Sequence, residues 1–209
     1  MSGLEGYVLA AVMLLSLPAA NPRYVEGQEL VGIPAPPLEI TDWVKGGPLT
    51  LEDLRGRVVL IRWWSGPGCP YCGPAASYLN SWHERYEPGG LSVVGLYHHK
   101  STVPLTREYV RGLIEGLGFH FSVGIDTDWR TLKRWWLERH ERSFTSVTFL
   151  LDKDGVIRMV HPGGVYLKGE ARAIERMIRK LIAGSSKQDH GQREAASTVT
   201  PQTLMSHPR

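Results

Sequence analysis

The sequence predicts an α/β fold, a single domain in which a mixed β-sheet is flanked by helices. Three observations carry that prediction. Residues 57–64 and 91–97 are near-continuous apolar runs, the pattern of strands buried on both faces. The stretches that follow them repeat apolar residues at helical spacing. Towards the C-terminus, two β-like runs flank Asp152-Lys153-Asp154-Gly155, a hairpin turn that closes the sheet.

A chain of 209 residues suffices for one domain with a good core plus extensions. Its 42% apolar and 9% aromatic content is that of an ordinary soluble globular protein. The net charge of +3 is small and dispersed, which argues against a nucleic-acid partner. Two cysteines exclude a disulfide scaffold.

Residues 1–20 read as an export signal or a short N-terminal anchor. Residues 7–17 are almost wholly apolar, Pro18-Ala19-Ala20 supplies small residues for cleavage, and the run is too short for a comfortable transmembrane helix. The preceding residues carry Glu5 and no Lys or Arg, which departs from the usual signal. With no cysteine nearby, a lipoprotein anchor is excluded. The expected location is exported, periplasmic or otherwise extracytoplasmic, with membrane proximity.

Residues 21–33 are expected to form an extended lead-in, and Pro34, Pro36 and Pro37 keep the chain out of a helix. A domain over 34–183 follows, then a Ser-, Thr-, Gln- and Lys-rich tail over 184–209, expected to be disordered, with His190 and His207 solvated. Within the domain, 38–40 reads as a short strand, Gly46-Gly47 as a turn and 49–56 as a helical turn closed by glycine. After the first long strand, Ala75, Tyr78, Leu79, Trp82 and Tyr86 line one helix face, ended by Pro88-Gly89-Gly90. A second helix over 106–117 turns Tyr109, Val110, Leu113 and Leu117 inward. Residues 119–125 read as a strand, 129–141 as a basic helix, 147–151 and 156–160 as the hairpin, and 170–182 as the last helix.

The chemistry concentrates at Cys69-Pro70-Tyr71-Cys72, where the first long strand hands over to a helix. Backbone N–H groups and the positive end of a helix dipole favour thiolate over thiol, so the placement suits thiol–disulfide exchange. Cys69 would attack and Cys72, a helical turn further in, would resolve. A closed zinc site would need four ligands, and there is no second cysteine pair. A structural disulfide closing so short a loop would add little stability.

The order of elements, together with Cys-Pro-Tyr-Cys, the "LEDLRGRVVLIRWW" run and the "VTFLLDKDGVIRMVHPGG" hairpin, resembles the thioredoxin superfamily. Over residues 34 to about 182 it is similar to the exported TlpA- or ResA-like thiol–disulfide oxidoreductases. The resemblance implies a thioredoxin-like fold and a redox-active Cys69–Cys72 disulfide, with no other cofactor and no resident metal. It implies protein or small thiol and disulfide substrates, often in cytochrome c maturation, and a redox partner that regenerates the dithiol. Trp64, Pro67, Gly68, Pro70 and Tyr71 would form the active-site loop.

Three departures stand out. Where the family has a cis-proline facing the cysteines, this chain has Ser146, so that Thr145 or Ser146 hydroxyls would face the sulfurs. The usual tryptophan before the first cysteine is replaced by Gly68 with an additional residue. The buried acid that assists the second thiol has no evident counterpart, and the strand offers Arg62 instead, read as a paired structural arginine. The Pro-Tyr dipeptide is the one common in glutaredoxins, whose potentials lie at about −200 to −230 mV, against about −270 mV for thioredoxin.

His98, His99 and Lys100 lie at a strand's C-terminal end, where α/β folds build sites. A nearby His⁺ or Lys100⁺ would lower the Cys69 pKa. With His161 and the sulfurs, the histidines could instead hold copper or zinc, making the chain a non-catalytic copper-delivery module; solvated or hydrogen-bonded loop histidines are the plainer reading. Residues 129–142 combine Arg130, Lys133, Arg134, Arg139 and Arg142 with Trp129, Trp135 and Trp136. A docking face for an acidic partner or membrane competes there with a core helix carrying a solvated basic face, and the core helix is favoured. A peroxide-reducing enzyme of the related peroxiredoxin type is disfavoured, because the Pro-x-x-x-Thr-x-x-Cys arrangement that positions peroxide is missing.

Overall fold

The structure, a computed structural model, describes residues 25–66, 72–138 and 140–184, with Cys72 described in its backbone only. The expected export segment, Arg139 and all but the first residue of the expected tail lie outside the described residues.

Six strands form one mixed sheet in the order β1-β4-β3-β2-β5-β6. They are β1 (Asp42–Lys45), β2 (Val58–Trp64), β3 (Leu91–Tyr97), β4 (Ser122–Ile125), β5 (Val147–Leu151) and β6 (Ile157–Pro162). β2 runs parallel to β3 and antiparallel to β5, and every residue of it is buried. This is why its sequence reads as an unbroken apolar run rather than an alternating one. Each fully buried Val, Leu or Ile in it contributes about 1.5–3 kcal/mol of transfer free energy.

The period of two sends alternate β2 residues to opposite faces. Val58, Leu60 and Trp64 pack with α1 (Cys72–Tyr86), α2 (Arg107–Gly116) and α4 (Lys168–Ala183). Val59, Ile61 and Trp63 pack with Leu132, Trp135 and Trp136 of a short helical segment on the other face. The apolar stripe of α1 is as the spacing predicts, with Ala75, Leu79 and Trp82 buried and Ala76 added. In α2, Thr106 caps the N-terminus by accepting from the Tyr109 N–H at 3.1 Å, and Val110 and Ile114 are the buried pair. At the hairpin turn, the Asp152 carboxylate accepts from the N–H groups of Asp154 and Val156, and Gly155 takes the left-handed φ of +73°.

Four expectations are corrected. Residues 38–40 do not form a strand: the Trp43 indole N–H donates to the Ile40 carbonyl at 3.1 Å, a local turn that delays pairing until Asp42. The lead-in is not simply extended. It turns through a short 3₁₀ segment at Gln28–Leu30 and then lies against the open side of β6, exchanging backbone hydrogen bonds between Gly32, Ile33 and Ile157. The final helix starts at Lys168, two residues early, with the Glu170 side chain accepting from the Leu167 N–H.

The basic helix expected over 129–141 is a compound turn. Asp128 and Trp129 take positive φ, Arg130–Leu132 is α-helical, here α3, and Lys133–Leu137 widens to a π-turn. Widening lets two adjacent residues, Trp135 and Trp136, both enter the core. Two of its cations are engaged: Arg134 pairs with Glu39, and Arg142 pairs with Glu29 at 2.6 Å while stacking on Trp136. The core-helix reading thus holds for the tryptophans, without a continuous helix.

Candidate active site

The sulfur-bearing stretch is framed by elements whose geometry is fixed. β2 ends at Trp64, whose carbonyl accepts from the His98 N–H at 2.9 Å, so β2 and β3 stay paired up to the strand exit. Ser65 is buried and Gly66 has φ +77°, with Leu113 and Tyr97 packed where a Cβ would stand. The chain leaves the described residues there and returns at Cys72, the first residue of α1. No acid lies in the first turn of α1, so no first-turn carboxylate offsets the positive end of its dipole. Pro67, Gly68, Cys69, Pro70 and Tyr71 lie outside the described residues.

The β5 register sets Thr148 beside Arg62, which brings residues 145–146 to the same end of the sheet as the β2 exit. There Thr145 Oγ1 lies 3.1 Å from His98 Nε2. The Ser146 carbonyl accepts from the Gly163 N–H at 2.9 Å. The cis peptide bond among the described residues is Gly47–Pro48, so Ser146 sits in an ordinary trans backbone.

Of the two plainer readings of His98, solvated or hydrogen-bonded, the second holds: it is wholly buried, its Nε2 3.1 Å from Thr145 Oγ1 and its ring edge-on to Trp129 at 5.2 Å. Burial, reinforced by Lys100 and Arg62, pushes its pKa down to about 3. With its pKa so low, the His98 imidazole is neutral near pH 7. His99 is half-buried, its Nδ1 2.9 Å from the Tyr97 hydroxyl, and the exposed Lys100 ammonium lies 5.6 Å from the Trp129 ring.

The three histidines of the copper-site alternative do not converge. His98 faces Trp129 and Thr145 on the α3 side, whereas His161 faces Tyr166 and Glu170 on the α1/α4 side. His99 packs on Tyr97 and Tyr109. Trp64 is core rather than rim, edge-on to Tyr97 and Phe119.

Two buried charges flank the strand exit. Arg62 donates to Thr148 Oγ1 (3.0 Å) and to the carbonyls of Gly163 (2.8 Å) and Gly164 (2.9 Å), beneath the Tyr166 ring. The reading of Arg62 as a paired structural arginine agrees with this: its hydrogen-bond partners among the described residues are neutral oxygens. Asp126, at the end of β4 on the opposite face, accepts from the Trp63 indole N–H (2.8 Å) and from the backbone N–H groups of Thr131 (2.9 Å) and Leu132 (2.7 Å). Sequence reading missed Asp126, although an Asp between a strand and a Thr-Asp-Trp turn is a helix-start signal.

A model of the AhpC/TSA family matches residues 31–160, which is 130 of the 209 residues. Protein DipZ of Mycobacterium bovis is 27% identical over 171 residues, covering 80% of this chain but 23% of DipZ, so the chain spans about a quarter of that relative. Protein FixW of Rhizobium leguminosarum is 23% identical over 175 residues, 78% of this chain and 71% of FixW. Among solved structures, a thiol-disulfide isomerase from Corynebacterium glutamicum superposes with a TM-score of 0.56 at 23% identity, covering 72% of this chain and 98% of its own. A chain from Chlorobium tepidum described as the thiol:disulfide interchange protein DsbE gives 0.59 at 22%, covering 73% and 98%. Both share the thioredoxin-like fold. The chain thus belongs to the AhpC/TSA family.

Proposed function

We propose that the protein exchanges disulfides through Cys69-Pro70-Tyr71-Cys72, with Cys69 as nucleophile and Cys72 as resolving thiol. The carrying observation is the position of the motif, between the C-terminal end of the central strand β2 and the first residue of α1. A helix N-terminus without an acid in its first turn favours a thiolate there. The Cys69 thiolate attacks a substrate disulfide and releases one substrate sulfur as a thiolate. Cys72 then attacks Cys69 Sγ, displaces the second substrate sulfur and leaves Cys69–Cys72 oxidised; the reverse sequence donates a disulfide. The substrates are disulfides or thiols of exported proteins, handled outside the cytoplasm near the membrane, and a separate redox partner regenerates the dithiol.

Equilibrating the chain in glutathione buffers and reading tryptophan fluorescence tests this. Reversible exchange is expected, abolished in Cys69→Ser. A midpoint above about −180 mV marks a disulfide donor or isomerase, and one near −270 mV a reductant. If no exchange occurs and copper binding depends on Cys69, the metal-delivery module replaces the oxidoreductase. A peroxidase reading would still need the Pro-x-x-x-Thr-x-x-Cys arrangement that the sequence lacks.

A further inference from the structure

At the end of the sheet away from the β2 exit, β3 outruns its neighbour. β4 pairs with it only from Val94 and Ser122 onward, so Leu91, Ser92 and Val93 have no partner in β4. A cavity of about 340 Å³ occupies this notch, at the small end of the range of ligand sites. It lies about 20 Å from the exit, six residues along β2 at about 3.3 Å each.

The polar wall of the notch is basic. Lys45, Arg57, His83 and His120 line it together with Ser92 and Ser122, and Glu87 is the one acid lining it among the described residues. Both fixed cations rest mainly on neutral oxygens. The Lys45 ammonium donates to the Phe119 carbonyl at 2.8 Å. Arg57 donates through Nε to Ser92 Oγ (2.6 Å) and through one terminal nitrogen to the carbonyls of Leu91 (2.6 Å) and Glu87 (3.1 Å). The Glu87 carboxylate stands off at 3.5 Å, its side chain half exposed. The bond to the Glu87 carbonyl, one residue past α1, also meets the negative end of the α1 dipole, which would otherwise repel an anion.

His83, in the last turn of α1, completes the wall. Its Nδ1 is buried without a hydrogen-bond partner, and its ring stands edge-on to Phe121 at 5.8 Å. Burial lowers its pKa, and His120 and Lys45 lower it further, against the opposing charges of Glu87 and Glu84. Two histidines and a lysine therefore crowd positive charge into one space, a repulsion that a bound anion would relieve.

We propose that this notch binds a phosphate-bearing small molecule, at a site separate from the dithiol. The donors left over select that class. Arg57 has committed the Nε side of its fork to Ser92 and Leu91, so a planar bidentate clasp on a carboxylate cannot form from that side. What remains is a set of point donors from several directions: the other N–H groups of Lys45, the two serine hydroxyls and the imidazoles. That distribution suits a tetrahedral oxyanion. Leu49, Leu54 and Phe121 give the same cavity an apolar wall for an organic group carried on the phosphate.

The test titrates the full chain with inorganic phosphate, phenyl phosphate and benzoate by calorimetry, and follows the His83 imidazole by NMR. Saturable phosphate binding is expected, weakening as salt rises. Tighter binding of phenyl phosphate would assign the site to an organic phosphate ester, and equal affinity to free phosphate. Lys45→Met and His83→Asn should each weaken phosphate binding about tenfold, the scale of one charge-assisted hydrogen bond. Arg176→Met, which removes an exposed cation of α4, should leave it unchanged. By linkage, a preference of about tenfold for the imidazolium form raises the His83 midpoint by about one pH unit at saturating phosphate. That shift is read in the wild-type chain, so it holds whether or not a variant folds. A His83 midpoint that ignores phosphate overturns the proposal. So does phosphate binding that survives both substitutions, or benzoate binding as tightly as phenyl phosphate. None of these readouts involves the cysteines, so the result stands or falls apart from the disulfide-exchange reading.

Discussion

Two neighbouring residues of β2, Arg62 and Trp63, open onto two differently built halves of the molecule. On the Trp63 side, the buried Asp126 carboxylate is saturated by an indole N–H and two helix N–H donors. On the Arg62 side, a buried guanidinium is held by carbonyl and hydroxyl oxygens, and its Nε–H has no partner among the described residues. A charge whose hydrogen bonds all end on the scaffold is part of the scaffold. One that is incompletely matched is available to something that arrives only during function.

The largest effect should fall on the saturated side. Asp126→Ala leaves three buried donors without an acceptor and removes the cap that starts α3, an expected loss of about 3–5 kcal/mol. Asp126→Asn, which keeps one acceptor oxygen, should cost about 1–2 kcal/mol. Urea unfolding followed by tryptophan fluorescence measures both. A cost below about 1 kcal/mol for the alanine variant would dissolve the contrast between the two faces.

His98 lies on the same side and gives it a pH dependence. Its imidazole titrates near 6.5 when unfolded but only at about 3 in the folded chain. Between those values the unfolded chain takes up a proton that the folded chain refuses. The stability is therefore complete above about pH 6.5 and lost as pH falls towards 3. At pH 5 the loss amounts to about 2 kcal/mol relative to pH 7. The groups facing His98 are Thr145 and Trp129, with Lys100 and Arg62 acting through their charge. His161, also held down chiefly by burial, adds to the dependence in the same direction. The diagnostic is accordingly the difference between wild type and His98→Asn, whose urea midpoint should fall less between pH 7 and pH 5.

A smaller effect on stability is expected from Arg62→Met. Losing the desolvation cost of a lone cation offsets the three oxygens it orphans, which places the net change within about 1 kcal/mol of zero. A loss as large as that of Asp126→Ala would make Arg62 scaffold as well.

What could be read beforehand divides along the same physical lines. β2, β3 and the hairpin were legible because burial on both faces writes a continuous apolar run, and Asp152 with Gly155 writes a turn. The break at 127–137 was not, because it depends on Asp126 capping Thr131 and Leu132 and on Trp135 and Trp136 both being pulled inward. Arg62 was visible as a charge inside an apolar strand. Its partners at Gly163 and Gly164 are 101 and 102 residues away and could not be paired with it from local pattern. His98 looked like a loop residue because it follows the last paired residue of β3. The packing of Trp129 and Thr145 over it is a tertiary event.

The smallest change sharpens what Arg62 does. Tyr166 carries two contributions at once: its ring lies 5.3 Å from the guanidinium, and its hydroxyl is 2.6 Å from Thr148 Oγ1. Tyr166→Phe keeps the ring, with its packing on Trp82 and Tyr78, and deletes only the hydroxyl contact. Its cost should be about 0.5–1.5 kcal/mol, the net worth of one buried hydrogen bond. The guanidinium remains anchored by the Gly163 and Gly164 carbonyls. Urea unfolding measures that cost, and a loss above about 2 kcal/mol would mean that Thr148, left without its hydroxyl partner, also lets go of the Arg62 guanidinium.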